Sequence, residues 1–321
     1  MRRVVQRHAI WLGVAGLAIV VLALAFLWIG ATFDVDYIIP KRLARRAAIV
    51  IGGACVAVSS IVFQTITGNR ILTPAIMGYE AVYLLLQSLL ILAMGMHSVV
   101  LLGQNGNFAL SIALMLGYSW AIHHWLFRDG KHDVYFLLLL GFVLTMVLGT
   151  FTQFIQLRIS PGEFAILQGF SQASFNKAQP AQLLIAALLA GAACLAVIKS
   201  LPALDVLCLG REQAMSLGVD YRRMVQLQLA LIAVLVAVST SLLGPTAFMG
   251  IFVANTTYAL ARTARHRVTL PLGCAIAIAI FLLAQLLVEH VFNYRTTVGI
   301  LVNLVCGAYF LALMVRSRGT A

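Results

Sequence analysis

Hydrophobic residues in this chain run in long blocks separated by short polar clusters, and the blocks define the elements. Segments uninterrupted by Asp, Glu, Lys or Arg span 9–33, 47–69, 81–127, 134–157, 178–198, 224–261, 268–288 and 296–315. A helix needs about 20 apolar residues to cross the hydrocarbon core of a bilayer, so six of these blocks hold one span each. The block 81–127 is long enough for two, with Gly103-Gln104-Asn105-Gly106-Asn107 as the turn between them. The block 224–261 holds two shorter spans broken at Gly244-Pro245. The pattern predicts ten transmembrane helices in an all-α polytopic membrane protein. The first block follows Arg2, Arg3 and Arg7 as a signal peptide would, but its 25 residues exceed the roughly 7–15 of a cleavable apolar region. It reads as a retained helix.

Composition removes the soluble alternatives. Of 321 residues, 62% are hydrophobic and 10% charged, and the mean hydropathy is +1.00. A soluble domain carries about 25% charged residues to cover its surface. The formal charge of +12 would suggest nucleic acid in a soluble protein, but no basic stripe interleaved with aromatics accompanies it. Here it acts as a topology signal, because cytoplasmic loops concentrate Lys and Arg. Placing the N-terminus inside puts 15 of the 22 basic residues on the cytoplasmic side and 7 outside, which predicts an N-in, C-in protein. Four of those seven stand together as Lys41, Arg42, Arg45 and Arg46, a cluster that opposes the bias and needs a reason. Cys55, Cys194, Cys208, Cys274 and Cys306 are odd in number and lack Cys-x-x-Cys spacing, so neither a disulfide framework nor a zinc site is expected.

No Pro-, Gly- or Ser-rich linker divides the chain, and residues 1–321 read as one transmembrane domain. Val56-Ala57-Val58-Ser59-Ser60 recurs as Val236-Ala237-Val238-Ser239-Thr240, and Pro74 to Gly78 is echoed by Pro245 to Gly250. The two copies fall on spans of opposite direction, as inverted repeats do in many transporters. The longest cytoplasmic segment is 199–224, where Gly210 and Gly218 bracket one or two helical turns and Gly218 takes the place of a helix-ending C′ residue. Leu209, Ala214 and Leu217 fall near one face of that segment, leaving Arg211, Glu212 and Gln213 to water. So short a helix is marginal alone and should pack on the protein's own helix ends or on a partner.

These residues also form an ordered set of family words: Arg42-Leu-Ala-Arg45, then Gln64 and Asn69 through Pro74 to Gly78. Leu209-Gly210-x3-Ala214-x2-Leu217-Gly218-Val219 follows, then Gly244-Pro245-x2-Phe248-x-Gly250, His266-Arg267-x3-Pro271 and Val298-Gly299. Together they resemble the FecCD-type permeases of ABC importers for iron–siderophore, haem and cobalamin, the BtuC-like family, over about residues 40–315. The resemblance implies a ten-helix permease of the bacterial cytoplasmic (inner) membrane that forms half of a dimeric translocation pathway. Its partners would be a cytoplasmic ABC ATPase dimer, a second permease, and a periplasmic or surface-anchored siderophore-binding protein. By resemblance, Arg42 and Arg45 would dock acidic residues of the binding protein, with Arg295 nearby. Leu209, Gly210, Ala214, Leu217 and Gly218 would belong to the ATPase-coupling segment, and Gln153 and Gln156 on the fifth span would face the translocation path. The chain would bind no cofactor or metal of its own, ATP and magnesium being used by the partner ATPase.

Several words depart from the family pattern. Ala44 stands between the arginines where Pro is common, Thr296-Thr297 replaces Leu-Pro, and Glu289 occupies a place usually basic. Such drift suits one member of a heterodimer of unlike permeases. Glu80 opens the third span near its boundary, where it pairs with a loop arginine or caps a helix. The adjacent His123 and His124 point in different directions on a helix, which suits no shared metal. No Gly-x-x-x-x-Gly-Lys-[Ser/Thr] loop, His-Glu-x-x-His or Gly-x-Ser-x-Gly occurs, so the chain carries no catalytic residues of those kinds. The expected function is a permease for ferric siderophore, with cobalamin or haem as alternative cargo. A gradient-driven transporter would need carboxylates at mid-membrane, and an intramembrane enzyme would need a paired acid–base or metal site; the spans offer neither.

Overall fold

The computed structural model describes residues 35–95, 97–127 and 134–318. The predicted span at 9–33 lies outside them. Twelve α-helices and no strand occur among the described residues. They are α1 (Val35–Thr67), α2 (Tyr79–Met94), α3 (His97–Phe127), α4 (Val134–Gln156), α5 (Pro161–Ser171) and α6 (Pro180–Lys199). Then follow α7 (Leu201–Leu207), α8 (Arg211–Ser216), α9 (Tyr221–Leu243), α10 (Ala247–Ala261), α11 (His266–Leu286) and α12 (Val298–Arg318). A 3-10 turn, Pro74–Met77, precedes α2, and a π turn, Leu287–Val291, extends α11. Arg42–Thr67, Leu138–Gln156, Pro180–Lys199, Tyr221–Leu243 and His266–Val291 are long and apolar enough to cross a membrane.

α1 is the central helix: 83% of its most apolar stretch is buried, against 22% for α4. It packs between α9 and α11. Gly52 and Gly53 permit this, because a Cβ on Gly52 would lie 2.2 Å from Leu243 Cδ1 of α9 and one on Gly53 3.2 Å from the backbone nitrogen of Ile278 on α11. Small residues at such crossings let helix backbones approach and gain van der Waals contact, the main attraction between helices in lipid. The opposite extreme, α4, leaves Leu139, Phe142, Met146, Phe151 and Phe154 exposed, a face suited to lipid or another membrane chain.

The repeated words meet in space. Ser59 and Ser60 of α1 and Ser239 and Thr240 of α9 line one cavity of about 20 Å³, together with Pro74, Thr246 and Gly250 of the second words. That is room for roughly one water. Glu80 reaches the same cavity, where Oε1 accepts a 2.8 Å hydrogen bond from the Thr246 backbone N–H. It therefore caps the head of α10, a different helix from its own, and satisfies a backbone donor the sequence leaves open.

Three boundaries differ from the sequence prediction. α1 starts at Val35, 12 residues before the block 47–69 that predicts it, so the basic cluster at 41–46 is helical. The break in 81–127 falls at Gly95 (φ 57°) and at a kink on Gly103 (φ 61°, ψ 172°), while Gln104–Asn107 are helical. Of the amides read as turn formers, Asn107 is satisfied across helices instead. Gln87 Nε2 donates to Asn107 Oδ1 at 2.9 Å, and Asn107 Nδ2 donates back to Gln87 Oε1 at 3.0 Å. Inside 158–180, between the blocks 134–157 and 178–198 where no helix is predicted, lies α5. Its Ser160-Pro161-Gly162-Glu163 start is a legible helix signal, with Pro at the first position and Glu163 Oε2 accepting from the Ser160 hydroxyl (2.7 Å) and backbone N–H (3.3 Å).

Candidate functional site

The antiparallel pair α1 and α11 carries polar contacts at both ends. At one end, Arg45 near the start of α1 faces the π turn after α11. Arg45 Nη1 lies 3.5 Å from Glu289 Oε2 and donates a 3.3 Å hydrogen bond to the Tyr294 hydroxyl. Both side chains of the ion pair are partly exposed, at 22% and 15%. Glu289 Oε2 makes no hydrogen bond, so the attraction is Coulombic. Asn293 (φ 46°) and Tyr294 (φ 60°) turn the chain through left-handed conformations beside it, and the exposed Arg295 follows. Arg42 lies one turn before Arg45, on the same side of α1. The structure thus brings Arg45 to the turn that leads into Arg295, with Arg42 one helical turn away along α1. It also places within that cluster the carboxylate that stands where a basic residue was expected.

At the other end, Asp205 of α7 accepts two hydrogen bonds on Oδ1, from the His266 backbone N–H (2.9 Å) and Nδ1 (2.7 Å). Nε2 of the same ring lies 2.8 Å from Thr65 Oγ1 near the end of α1. His266 is buried at 1% exposure, and no side chain of the preceding Arg265 caps the helix. Asp205 therefore supplies the missing cap of α11 from another element, where the partial positive charge of the helix head favours a carboxylate. Sequence reading quoted His266 only as a family word and missed Asp205 and Thr65; no local signal links residues so far apart.

Asp205 stands at the base of the predicted coupling segment. Residues 199–224 fold as α7, a turn at Gly210 (φ 97°), and α8, which ends in a Schellman motif: Val219 N–H donates to Ala214 O (3.1 Å) and Gly218 N–H to Met215 O (3.0 Å). Gly218 has φ 82°, the left-handed C′ position its spacing predicts. Of the three apolar residues expected on one buried face, Ala214 alone is buried. Leu209 and Leu217 are 56% and 62% exposed, because they lie beyond the ends of α8 and turn away with its caps. With Met215 they form an exposed apolar patch beside Arg211, Glu212 and Gln213. Burial pushes the nearby Cys208 thiol above its ordinary pKa.

Gln153 and Gln156 lie near the end of α4, the first exposed and the second half-buried, on the least covered of the apolar helices. His123 Nδ1 lies 2.6 Å from the Ser119 carbonyl and His124 stacks on Trp120, so the paired histidines serve helix contacts. Among the described residues, His, Cys, Asp and Glu nowhere gather in groups of three that could hold a metal ion.

Two further family words converge on one backbone segment between α5 and α6. A Cβ on Gly299 would lie 2.8 Å from Ala173 N, and one on Gly244 3.0 Å from Gln172 O. Ser174 N–H donates to Leu243 O and Gly299 N–H to Ala173 O, so residues 172–174 are clasped between the end of α9 and the head of α12.

Comparison with known proteins agrees with this architecture. The chain is 35% identical over 303 residues to the petrobactin import system permease protein YclO of Bacillus subtilis, covering 94% of this chain and 96% of that one. It is 31% identical to the petrobactin permease FatC of Bacillus anthracis, covering 88% and 79%. A metal-chelate type ABC transporter solved in an inward-facing conformation shares the fold, with a TM-score of 0.84 at 21% identity and coverage of 96% and 99%. The model of the FecCD transport family matches residues 9–316, and the chain belongs to that family.

Proposed function

We propose that this chain is the transmembrane permease subunit of a binding-protein-dependent ABC importer for ferric siderophore in a bacterial cytoplasmic membrane. The observation that carries the proposal is the separation of two polar stations along α1 and α11. Arg45 and Thr65 lie 20 residues apart on α1, about 30 Å along a helix axis and so one hydrocarbon thickness. One station presents basic groups, the other an exposed apolar and charged knob.

The Arg42, Arg45 and Arg295 cluster would receive the acidic face of a siderophore-binding protein, charge complementarity setting its register and on-rate. Leu209, Met215 and Leu217 on the α7–α8 knob would enter a groove of a cytoplasmic ATPase subunit, since exposed apolar patches rimmed by charge mark interaction sites. The bare face of α4, with Gln153 and Gln156, would face the pathway shared with a second, unlike permease. Nucleotide binding by the ATPases would shift the balance between outward- and inward-facing states, as differential contact with each state requires. The petrobactin permeases among the relatives make ferric petrobactin the first cargo to try.

The test is affinity purification of the tagged chain in mild detergent, followed by intact-complex mass spectrometry. Two soluble ATPase subunits and a second permease are expected. A chain that purifies alone, where a control importer stays assembled, would overturn the proposal.

A further inference from the structure

We propose that Asp205 and His266 are positioning residues for energy coupling, forming the joint that transmits movement of the α7–α8 knob to α1 and α11. The proposal rests on the reading of that knob as the ATPase-docking segment. α7 and α8 are joined through the turn at 208–210: Leu209 N–H and Gly210 N–H donate to Val206 O and Leu207 O at the end of α7, and Ala214 N–H of α8 donates to Gly210 O. The imidazole of His266 is clamped on both sides, by Asp205 Oδ1 at 2.7 Å and Thr65 Oγ1 at 2.8 Å, and its own backbone N–H is held by the same carboxylate at 2.9 Å. A displacement of Asp205 thus pulls the head of α11 through its cap and the end of α1 through the ring. With the proton on Nδ1 facing the carboxylate, Nε2 is an acceptor, and the single proton of the Thr65 hydroxyl is shared between it at 2.8 Å and Ile61 O at 2.9 Å. At their far ends the same two helices are joined by Arg45 and Glu289. The pair therefore forms a strut tied at both stations, able to carry a push from the ATPase side to the binding-protein side.

The test uses the whole importer reconstituted in proteoliposomes, with ferric petrobactin as the transported probe. Asp205→Asn keeps a good helix-cap acceptor while removing the charge, and His266→Gln removes the ring. Thr65→Val cuts the link on the α1 side without touching the knob or the cap. Each variant is expected to retain its ATPase subunits and basal hydrolysis, while transport per ATP hydrolysed falls roughly tenfold for Asp205→Asn and His266→Gln, which alter a charge-assisted contact, and about threefold for Thr65→Val, which loses a neutral one. Unchanged transport per ATP in Asp205→Asn and His266→Gln would overturn the proposal, as would release of the ATPase subunits, which would make the contact one of assembly. An effect of Asp205→Asn with none from Thr65→Val would reduce the pair to a helix cap and overturn it too. A wild-type complex with no ATPase partner would instead overturn the functional reading itself.

Discussion

Arg45 and Glu289 face one another at 3.5 Å where the first turns of α1 meet the π turn after α11, so an arginine read as a docking residue already holds a carboxylate within its own chain. A binding protein offering an acidic residue there competes with Glu289 or shares its partner. The internal pair is mostly buried, but its carboxylate oxygen makes no hydrogen bond, so it lacks the added strength of a charge-assisted hydrogen bond.

Removal of Glu289 should free Arg45. Glu289→Gln is expected to tighten the cognate binding protein by up to about fivefold, and Arg42→Glu with Arg45→Glu to weaken it by roughly tenfold or more. Biolayer interferometry on the importer in nanodiscs at two salt concentrations checks both, and the differences should shrink at high salt. Equal affinity for the double variant would remove Arg42 and Arg45 from the docking surface.

Gly218→Ala should strain the end of α8 by about 1 kcal/mol, since φ 82° is open to glycine and disfavoured for alanine. No heavy atom lies within 4 Å of the added Cβ, so the effect is one of backbone conformation alone. The expected outcome is weaker ATPase attachment with little change in the thermal stability of the permease. Co-purification yield alongside a detergent melting curve separates the two.

Gly299→Ala should destabilise the fold by about 1–3 kcal/mol, as overpacking against rigid backbone does. Its Cβ would stand 2.8 Å from Ala173 N, whereas Gly307 on the same helix has open space around it. Thermal unfolding followed by fluorescence-detected size exclusion should show a clear loss for Gly299→Ala and little for Gly307→Ala.

Cys208 is the exposed cysteine of the knob. Its thiol, raised in pKa by partial burial against its neighbours, should react slowly with a water-soluble maleimide near neutral pH and faster as pH rises toward 9.5, because the thiolate is the nucleophile. Reaction should proceed in inside-out vesicles and be blocked by docked ATPase subunits. Labelling of intact cells by the impermeant reagent would reverse the assigned orientation.

The sequence determined the class of this protein because hydropathy is a property of each short window. Uninterrupted apolar runs place α4, α6, α9, α11 and α12 within a few residues of their observed ends, and the glycine at 218 announced its Schellman cap, whereas α1 begins 12 residues before its run because its first turns carry charge. The Ser160-Pro161-Gly162-Glu163 start of α5 was equally local and was hidden by the surrounding loop assignment. Tertiary structure alone decided where the lone polar groups go. Glu80 caps α10 across 166 residues, Asp205 caps α11 across 61, and Thr65 meets His266 across 201. In a dry interior each buried donor or acceptor must find a partner. Which one it finds depends on how the helices cross, and that is fixed by close approaches such as Gly52 to Leu243 rather than by any pattern along the chain.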